Sequence, residues 1–519
     1  MGRVGSSHPG TALAKGWPVI AALLLSTCLS AAACGQDWTL GDRVQAPTLY
    51  VSVEADFAQR LLDMWPTSAP ARLLPAEARG RVSDAELGLL GRVCQLCDGA
   101  LEVAYDAGQR ELLLHCVLPE AARRRVQALL DDGEVLRRVD ASSGQAPAGQ
   151  AIYTLAEGAI ADAPALFLAL VDRHLCMATG PGALARLLHE APPRGQALTD
   201  DADFRDFSRR VEADRPSLTL FGSFGTLSEA FAHAFGVTPP GLDISGFDDA
   251  TSLLLSVRTR SEGLAMSVLV RRKSASAIDG WLAVADRAQV GTLLAELPPA
   301  GIASLTLAVD PKALRKIDAG PVLGLLSKRV HGGCETLGLN LEQQILTKLK
   351  GVAALQVLVN DGGRPLGSAY LAKLKTERDA QRIYADCRRV LTARSTSRAV
   401  PHQHGEELIL PTLGPLVDGS RLGVVRDSLV LGTTRGVVEQ IAALDRGAET
   451  SSLVDLKWVP AALRALPAAA RSSQVAGVVV VDLSPLLADS SRDDAALRRH
   501  AGVLRVQPDH LRLELFSQL

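Results

Sequence analysis

The feature that most constrains this chain is that it matches itself. Slid along its own sequence it has one preferred offset, 254 residues, held from about residue 49 to residue 184. A fixed repeat of this kind sets architecture before any short motif does. Leu49-Tyr50-Val51-Ser52-Val53-Glu54-Ala55-Asp56 falls over Ala303-Ser304-Leu305-Thr306-Leu307-Ala308-Val309-Asp310. Each alternates like a half-buried strand and runs through an Asp into a helical pattern. Leu101 and Val103 fall over Leu355 and Val357. Gly108, Arg110 and Leu112 fall identically over Gly362, Arg364 and Leu366, and Val171, Leu175 and Gly182 over Val425, Leu429 and Gly436.

The order of patterns repeats as well. Ala100–Tyr105, the turn Asp106-Ala107-Gly108 and Glu111–Leu118 predict a hairpin. Ala354–Val359, Asn360-Asp361-Gly362-Gly363 and Pro365–Leu371 predict another. Amphipathic helices follow at Glu120–Leu130 and Glu377–Leu391, then at Ala183–His189 and Val437–Leu444. Ser217–Phe221 and Gly477–Val481 are the next apolar strands. Ser252–Arg258 with Gly263–Val270 resembles Gly502–Val506 with His510–Phe516 as a closing hairpin. Helices interspersed with hairpins predict an α+β fold, two tandem repeats of an antiparallel-sheet-plus-helices domain. The first copy covers residues 34–299 and ends with a predicted helix, Ala277–Leu297, before Pro298-Pro299. The second covers 300–519 and lacks that last helix. Each has over 200 residues, enough for its own core. Loops are expected at Pro66–Gly80, Asp140–Gly149, Thr392–Glu407 and Asp489–Asp494.

Residues 1–33 hold two bases, Arg3 and Lys15, and no acid. An apolar run from Trp17 to Leu29 ends in Ser30-Ala31-Ala32-Ala33, then Cys34. A basic segment, a short apolar core and an A-x-A site make a secretory signal peptide. The core is shorter than the roughly 20 residues that span a bilayer. Cleavage after Ala33 makes Cys34 the first mature residue. This resembles a bacterial lipoprotein signal, in which the new N-terminal cysteine is lipidated, with Ala31 where that family usually has Leu. The expectation is export to the periplasm or cell envelope, through a lipid on Cys34 or by plain secretion.

Composition narrows the function. Of 519 residues 47% are hydrophobic and 22% charged, which excludes a disordered or collagen-like chain. A formal net charge of −2 gives no overall field to recruit nucleic acid. Aromatics at 4% leave little for stacking bases or sugars.

An apolar strand, a small-residue turn and the helix Gly182–His189 lead into Ala197-Leu198-Thr199-Asp200-Asp201-Ala202-Asp203-Phe204. The second copy has Ser452-Leu453-Val454-Asp455-Leu456-Lys457-Trp458 at that place. This order resembles a class of exported bacterial proteins grouped as a domain of unknown function. The resemblance implies no activity and brings no site residues.

Cys94-Gln95-Leu96-Cys97 is the most specific short motif. Two cysteines three apart suit a redox pair if a thiol pKa is lowered, or buried structural thiols if it is not. Beyond Cys28 and Cys34 the chain has Cys94, Cys97, Cys116, Cys176, Cys334 and Cys387, an even set that permits disulfides in an exported protein. His402-Gln403-His404-Gly405-Glu406-Glu407 carries zinc or copper ligand types in what reads as a solvated loop. Thr179-Gly180-Pro181-Gly182 and Thr433-Thr434-Arg435-Gly436 join strand to helix, as a phosphate cradle does, without the Gly-Lys-Ser/Thr ending of a P-loop. No catalytic, cofactor-binding or metal residue is therefore assigned. The expectation is a non-enzymatic binding or structural protein, with an envelope hydrolase or thiol redox enzyme as the alternative. Its partners would be the membrane, an envelope protein, or an apolar ligand in a groove between the copies.

Overall fold

A computed structural model describes residues 39–518 outside the segments 46–48, 65–90, 92, 107–109, 133–135, 140–150, 156–165, 190–191, 194, 213–215, 224, 228, 231–249, 262, 273–281, 314–338, 360–364, 394–398, 403–404, 411–419, 435, 446–450, 467–473, 485–497 and 508. Cys34, Cys334, the signal segment and the loops at 66–80, 140–149 and 489–494 lie outside the described residues. The fold is α+β, with extensive antiparallel sheet and several helices. Contacts divide the chain into two compact units, the first largely residues 1–271 and the second largely 272–519.

In the first unit the elements run β1 (Leu49–Glu54), α1 (Ala55–Met64), β2 (Ala100–Asp106), β3 (Glu111–Val117), α2 (Glu120–Asp132), β4 (Leu136–Arg138), β5 (Tyr153–Leu155), β6 (Phe167–Val171), β7 (His174–Ala178), α3 (Pro181–His189), α4 (Ala202–Glu212), β8 (Leu218–Gly222), β9 (Ala250–Arg260) and β10 (Gly263–Arg272). Antiparallel pairing gives the order β4-β5-β6-β7-β3-β2-β1-β8-β9-β10. β2, β3 and β7 are buried almost throughout, so both faces of the middle of this sheet are covered. Their near-continuous apolar runs follow from that double burial. On one face Tyr50, Ala104, Leu113, Cys176 and Ala178 pack under α3 and Phe207 of α4.

The second unit runs β11 (Ala285–Asp286), α5 (Arg287–Gly291), β12 (Gly301–Ala308), β13 (Leu349–Val359), β14 (Pro365–Leu374), α6 (Glu377–Ala393), β15 (Ala399–His402), β16 (Gly405–Ile409), β17 (Arg421–Val425), β18 (Ser428–Gly432), α7 (Val437–Asp445), α8 (Trp458–Ala465), β19 (Gln474–Val475), β20 (Gly477–Asp482), β21 (Arg499–Val506) and β22 (His510–Gln518). Its strand order is β15-β16-β17-β18-β14-β13-β12-β20-β21-β22, with β11 and β19 paired separately. One core gathers Leu293, Leu297, Ile441 and Val459; another lies under α6, around Ile383, Cys387 and Leu391.

The helix expected over Ala277–Leu297 is not continuous. Among its described residues are strand β11, the single short helix α5 and a 3-10 turn, Thr292–Glu296. Asp286 caps α5 by accepting from the Ala288 N–H, so the chain enters a helix only there. Leu293, Leu294 and Leu297 then point into the core, which rewards their burial over helical continuation.

Candidate functional site

Two polar clusters stand inside otherwise apolar sheet. In the first unit Glu102 of β2 lies directly opposite His115 of β3, so their side chains share a face. Glu102 Oε1 accepts from the Tyr50 hydroxyl at 2.5 Å. Oε2 accepts from the Leu40 N–H at 2.8 Å and from His115 Nδ1 at 2.7 Å. An acceptor-only carboxylate requires the imidazole proton on Nδ1. His115 Nε2 then faces His174 Nδ1 of β7 at 2.9 Å. His115 is fully buried, and Glu102 and His174 are nearly so. Burial, then the neighbouring Glu102, holds the Tyr50 hydroxyl well above its ordinary value, so it remains a donor. This chain of donors is sealed within the unit.

The second cluster opens outward. Lys373 of β14 carries its ammonium between Glu296, which follows α5, and Asp427 in the turn between β17 and β18, the latter at 3.1 Å. The Ser428 hydroxyl donates to the other oxygen of Glu296 at 3.0 Å. Burial alone would lower the Lys373 pKa, but hydrogen bonds and charge from Glu296 and Asp427 outweigh it and raise it. Lys350 stands 3.9 Å from Asp427. Lys373, Glu296, Asp427 and Lys350 line a cleft of about 680 Å³ together with Gln289, Thr292, Val352, Glu377 and Arg426. The cleft presents charges of both signs around an apolar floor at Val352.

The sequence-predicted residues fall elsewhere. Cys94 is buried in a helical turn at 93–96, and burial with the neighbouring Cys116 pushes its thiol up to about 12. Cys97 follows, half-buried, donating to Val93 O at 3.0 Å. Hydrogen bonding to Cys116 and burial hold its thiol well above the ordinary range. His402 ends β15 and pairs in register with Gly405, so that segment is a hairpin rather than a loop. His404 lies outside the described residues. Glu406 accepts from Tyr384 at 3.0 Å and meets Arg388, and Glu407 pairs with Arg421, so both carboxylates have partners within the unit. The turn threonines do structural work: Thr179 Oγ1 accepts from the Leu112 N–H at 3.0 Å, and Thr433 Oγ1 from the Ser368 N–H at 2.8 Å.

Sequence reasoning missed Tyr50, Glu102, His115, His174, Glu296, Lys373 and Asp427. The available signal was an ionisable residue inside an apolar strand, Glu102 in Leu101-Glu102-Val103-Ala104 and Lys373 in Leu371-Ala372-Lys373-Leu374. Among the described residues no three of His, Cys, Asp and Glu converge as a metal site, and no helix is long and apolar enough to cross a membrane.

No family model matches the chain, and no curated protein matches it. Among solved structures, crystal form I of TP0453 is similar with a TM-score of 0.27 and 11% identity, covering 46% of this chain and 79% of that one. Crystal form III gives a TM-score of 0.27 and 10% identity over 46% and 80%. Likeness at this level defines neither a shared fold nor an activity.

Proposed function

We propose that the chain is an exported, envelope-associated protein built of two copies of one α+β domain, acting by binding or as a structural component rather than by catalysis. The duplication is supported by the two strand orders, which run through corresponding strands from β4 or β15 to β10 or β22. Small details recur with them. The Ala55 N–H donates to Gly99 O at 2.8 Å and the Val309 N–H to Gly351 O at 2.8 Å. Both glycines sit at positive φ, 96° and 82°, where a side chain would be strained. Asp172 and Arg426 hold φ of 53° and 50° in the turns before β7 and β18. Leu198 N–H donates to Val44 O, and Leu453 N–H to Leu297 O.

The ladders also refine the repeat. Ser52 stands opposite Glu102, and Thr306 opposite Ala354. With Ala55 matched to Val309 and Gly99 to Gly351, the first strands keep the 254-residue alignment and the second strands correspond two residues away from it. A slip of two keeps every side chain on its face, so alternation alone does not detect it.

The observation that carries the binding reading is the state of the cleft cluster. Lys373 is held as an ammonium and both oxygens of Glu296 are engaged. Nucleophilic catalysis calls for a nucleophile beside a free base. This cluster offers fixed charge and hydrogen bonds but no neutral amine, which suits retention of a polar ligand carrying both charge signs. Export rests on the Arg3/Lys15 segment, the apolar core and Ala31–Ala33. Mass spectrometry of the chain purified from the envelope tests both parts. Denaturing spectra are expected to show a chain starting at Cys34, with a diacylglycerol adduct if lipidated; an intact Met1 contradicts export. Native spectra are expected to show a non-covalent adduct that Lys350→Glu removes; an adduct-free wild type contradicts cleft binding.

A further inference from the structure

We propose that a pocket bordered by α5, α8 and β20 in the second unit binds an aliphatic monocarboxylate, with Arg287 and Arg505 holding its head and leucine and valine side chains its tail. The pocket measures about 370 Å³ and shares no lining residue with the Lys373 cleft. Its wall is largely aliphatic, with Leu294, Val454, Leu463 and Val478, and its charged residues are Asp286 and Arg287. Leu294 and Val478 are buried, whereas Val454 is exposed, so the pocket meets solvent beside Val454.

Strand register brings two further arginines to the same side of the sheet. Val478 stands opposite Val503, and Val503 opposite Glu514. Arg505 stands opposite Arg512 in the next row. Residues two apart on a strand share a face, so Arg505, Arg512 and Glu514 lie on the face that carries Val478. Arg287 comes to the same end of the sheet through β11. Asp286 pairs with Gln474 of β19, and Ala476, two residues on, donates its N–H to Leu504 O at 2.8 Å. Burial first, then Arg512, lowers the Arg505 pKa; Glu514 opposes this and Arg287 adds to it. Arginine stays charged even so.

The donors here outnumber their acceptors. Arg512 Nε donates to Glu514 Oε1, and Asp286 Oδ1 accepts from the Ala288 N–H at 2.8 Å. Arg287 Nη1 and Arg505 Nε and Nη2 are buried and, among the described residues, meet no acceptor. Buried cationic N–H groups without acceptors are costly. Three guanidiniums stand against two carboxylates, an excess of one positive charge. A single carboxylate balances that excess and matches the planar fork of a guanidinium; a phosphate dianion overcompensates it. The aliphatic wall then selects the rest of the ligand, because burying each methylene contributes about 0.8 kcal/mol, whereas a polar tail would lose its water there.

Titration calorimetry of the purified full chain with octanoate tests this, with acetate and 1-octanol as probes lacking the tail or the charge. Octanoate is expected to bind with a dissociation constant on the order of 1 mM or tighter, and each control at least roughly tenfold more weakly. Arg505→Met removes the head contact and should weaken octanoate roughly tenfold or more while leaving 1-octanol unchanged. Val454→Glu sets a like charge at the exposed mouth, where folding is not at stake, and should weaken octanoate as well; it carries the test if Arg505→Met does not fold. Lys350→Glu, which alters only the Lys373 cleft, should change nothing. No binding of octanoate by the wild type overturns the proposal. Equal binding of 1-octanol or of acetate overturns it too, as does undiminished binding by Val454→Glu or by a folded Arg505→Met. Loss of octanoate binding in Lys350→Glu places the ligand in the other cleft and also overturns it.

Discussion

Glu102 in the first unit and Glu296 in the second are both carboxylates taken out of water at a strand ladder, and they are compensated in opposite ways. Glu102 is met by a tyrosine hydroxyl, a backbone N–H and an imidazole, and the whole chain is sealed. Glu296 is met by the buried Ser428 hydroxyl and by the Lys373 ammonium, which lines a cleft. Under the proposed duplication, Ala354 stands where Glu102 does, and Leu371 stands opposite it in place of His115. The difference teaches that antiparallel sheet can carry its polar groups as interior fastening in one unit and along an open cleft in the other. Burial with every oxygen hydrogen-bonded inside the unit fixes a core; burial with paired charge at a cleft leaves a field that a ligand can meet.

The largest expected effect sharpens the sealed side. Glu102→Ala leaves the Tyr50 hydroxyl, Leu40 N–H and His115 Nδ1 without their acceptor. It should cost the first unit about 3–5 kcal/mol in urea unfolding. Glu102→Gln keeps one acceptor and should cost about half as much. A cost near zero for the alanine variant would break the contrast.

Lys373→Met comes next. It strands Glu296 and Asp427, but the cleft lets water relieve them. A cost of about 2 kcal/mol to the second unit is expected, with the first unit unchanged. The same residue gives a pH signature. Because its pKa is raised on folding, its stabilisation is complete below the ordinary lysine value and is lost as pH rises through the folded value. Urea titration at graded alkaline pH should show that loss in wild type and a flatter profile in Lys373→Met.

The first unit has its own alkaline signature in the reduced protein. Cys94 and Cys176 are pushed up to about 12, chiefly by burial. Unfolded thiols titrate near 8.5. Their contribution is therefore complete below that value and falls progressively toward pH 12. Cys94→Ala should flatten part of the slope and cost on the order of 1–2 kcal/mol in packing. The smallest effect probes sameness rather than difference. Thr179→Val and Thr433→Val each remove one hydroxyl acceptor for a strand N–H and should cost about 1 kcal/mol apiece. Clearly unequal losses would argue that the turns are not equivalent.

Much of the fold was legible because it rests on local pattern. The hairpins β2–β3 and β13–β14 and the helices α2 and α6 follow from turn residues and periodicity within short windows. The helix over Ala277–Leu297 failed because periodicity does not see the core that captures Leu293 and Leu297. The polar clusters were illegible for a different reason. His115 and His174 are 59 residues apart in sequence, and Lys373 and Glu296 are 77 apart. Only strand order brings them together. Cys94 and Cys97 were visible as a motif, but their closeness to Cys116 depends on where 93–97 docks on β3.

The central claim is one fold used twice, and amide hydrogen exchange followed by mass spectrometry tests it most directly. The account predicts slow exchange in Leu49–Glu54, Ala100–Asp106 and Glu111–Val117, with β1 and β2 at the centre of their ladder. It predicts matching protection in Gly301–Ala308, Leu349–Val359 and Pro365–Leu374, where β12 and β13 hold the same places. Protection of one set beside exchange at unstructured rates in the other would contradict it.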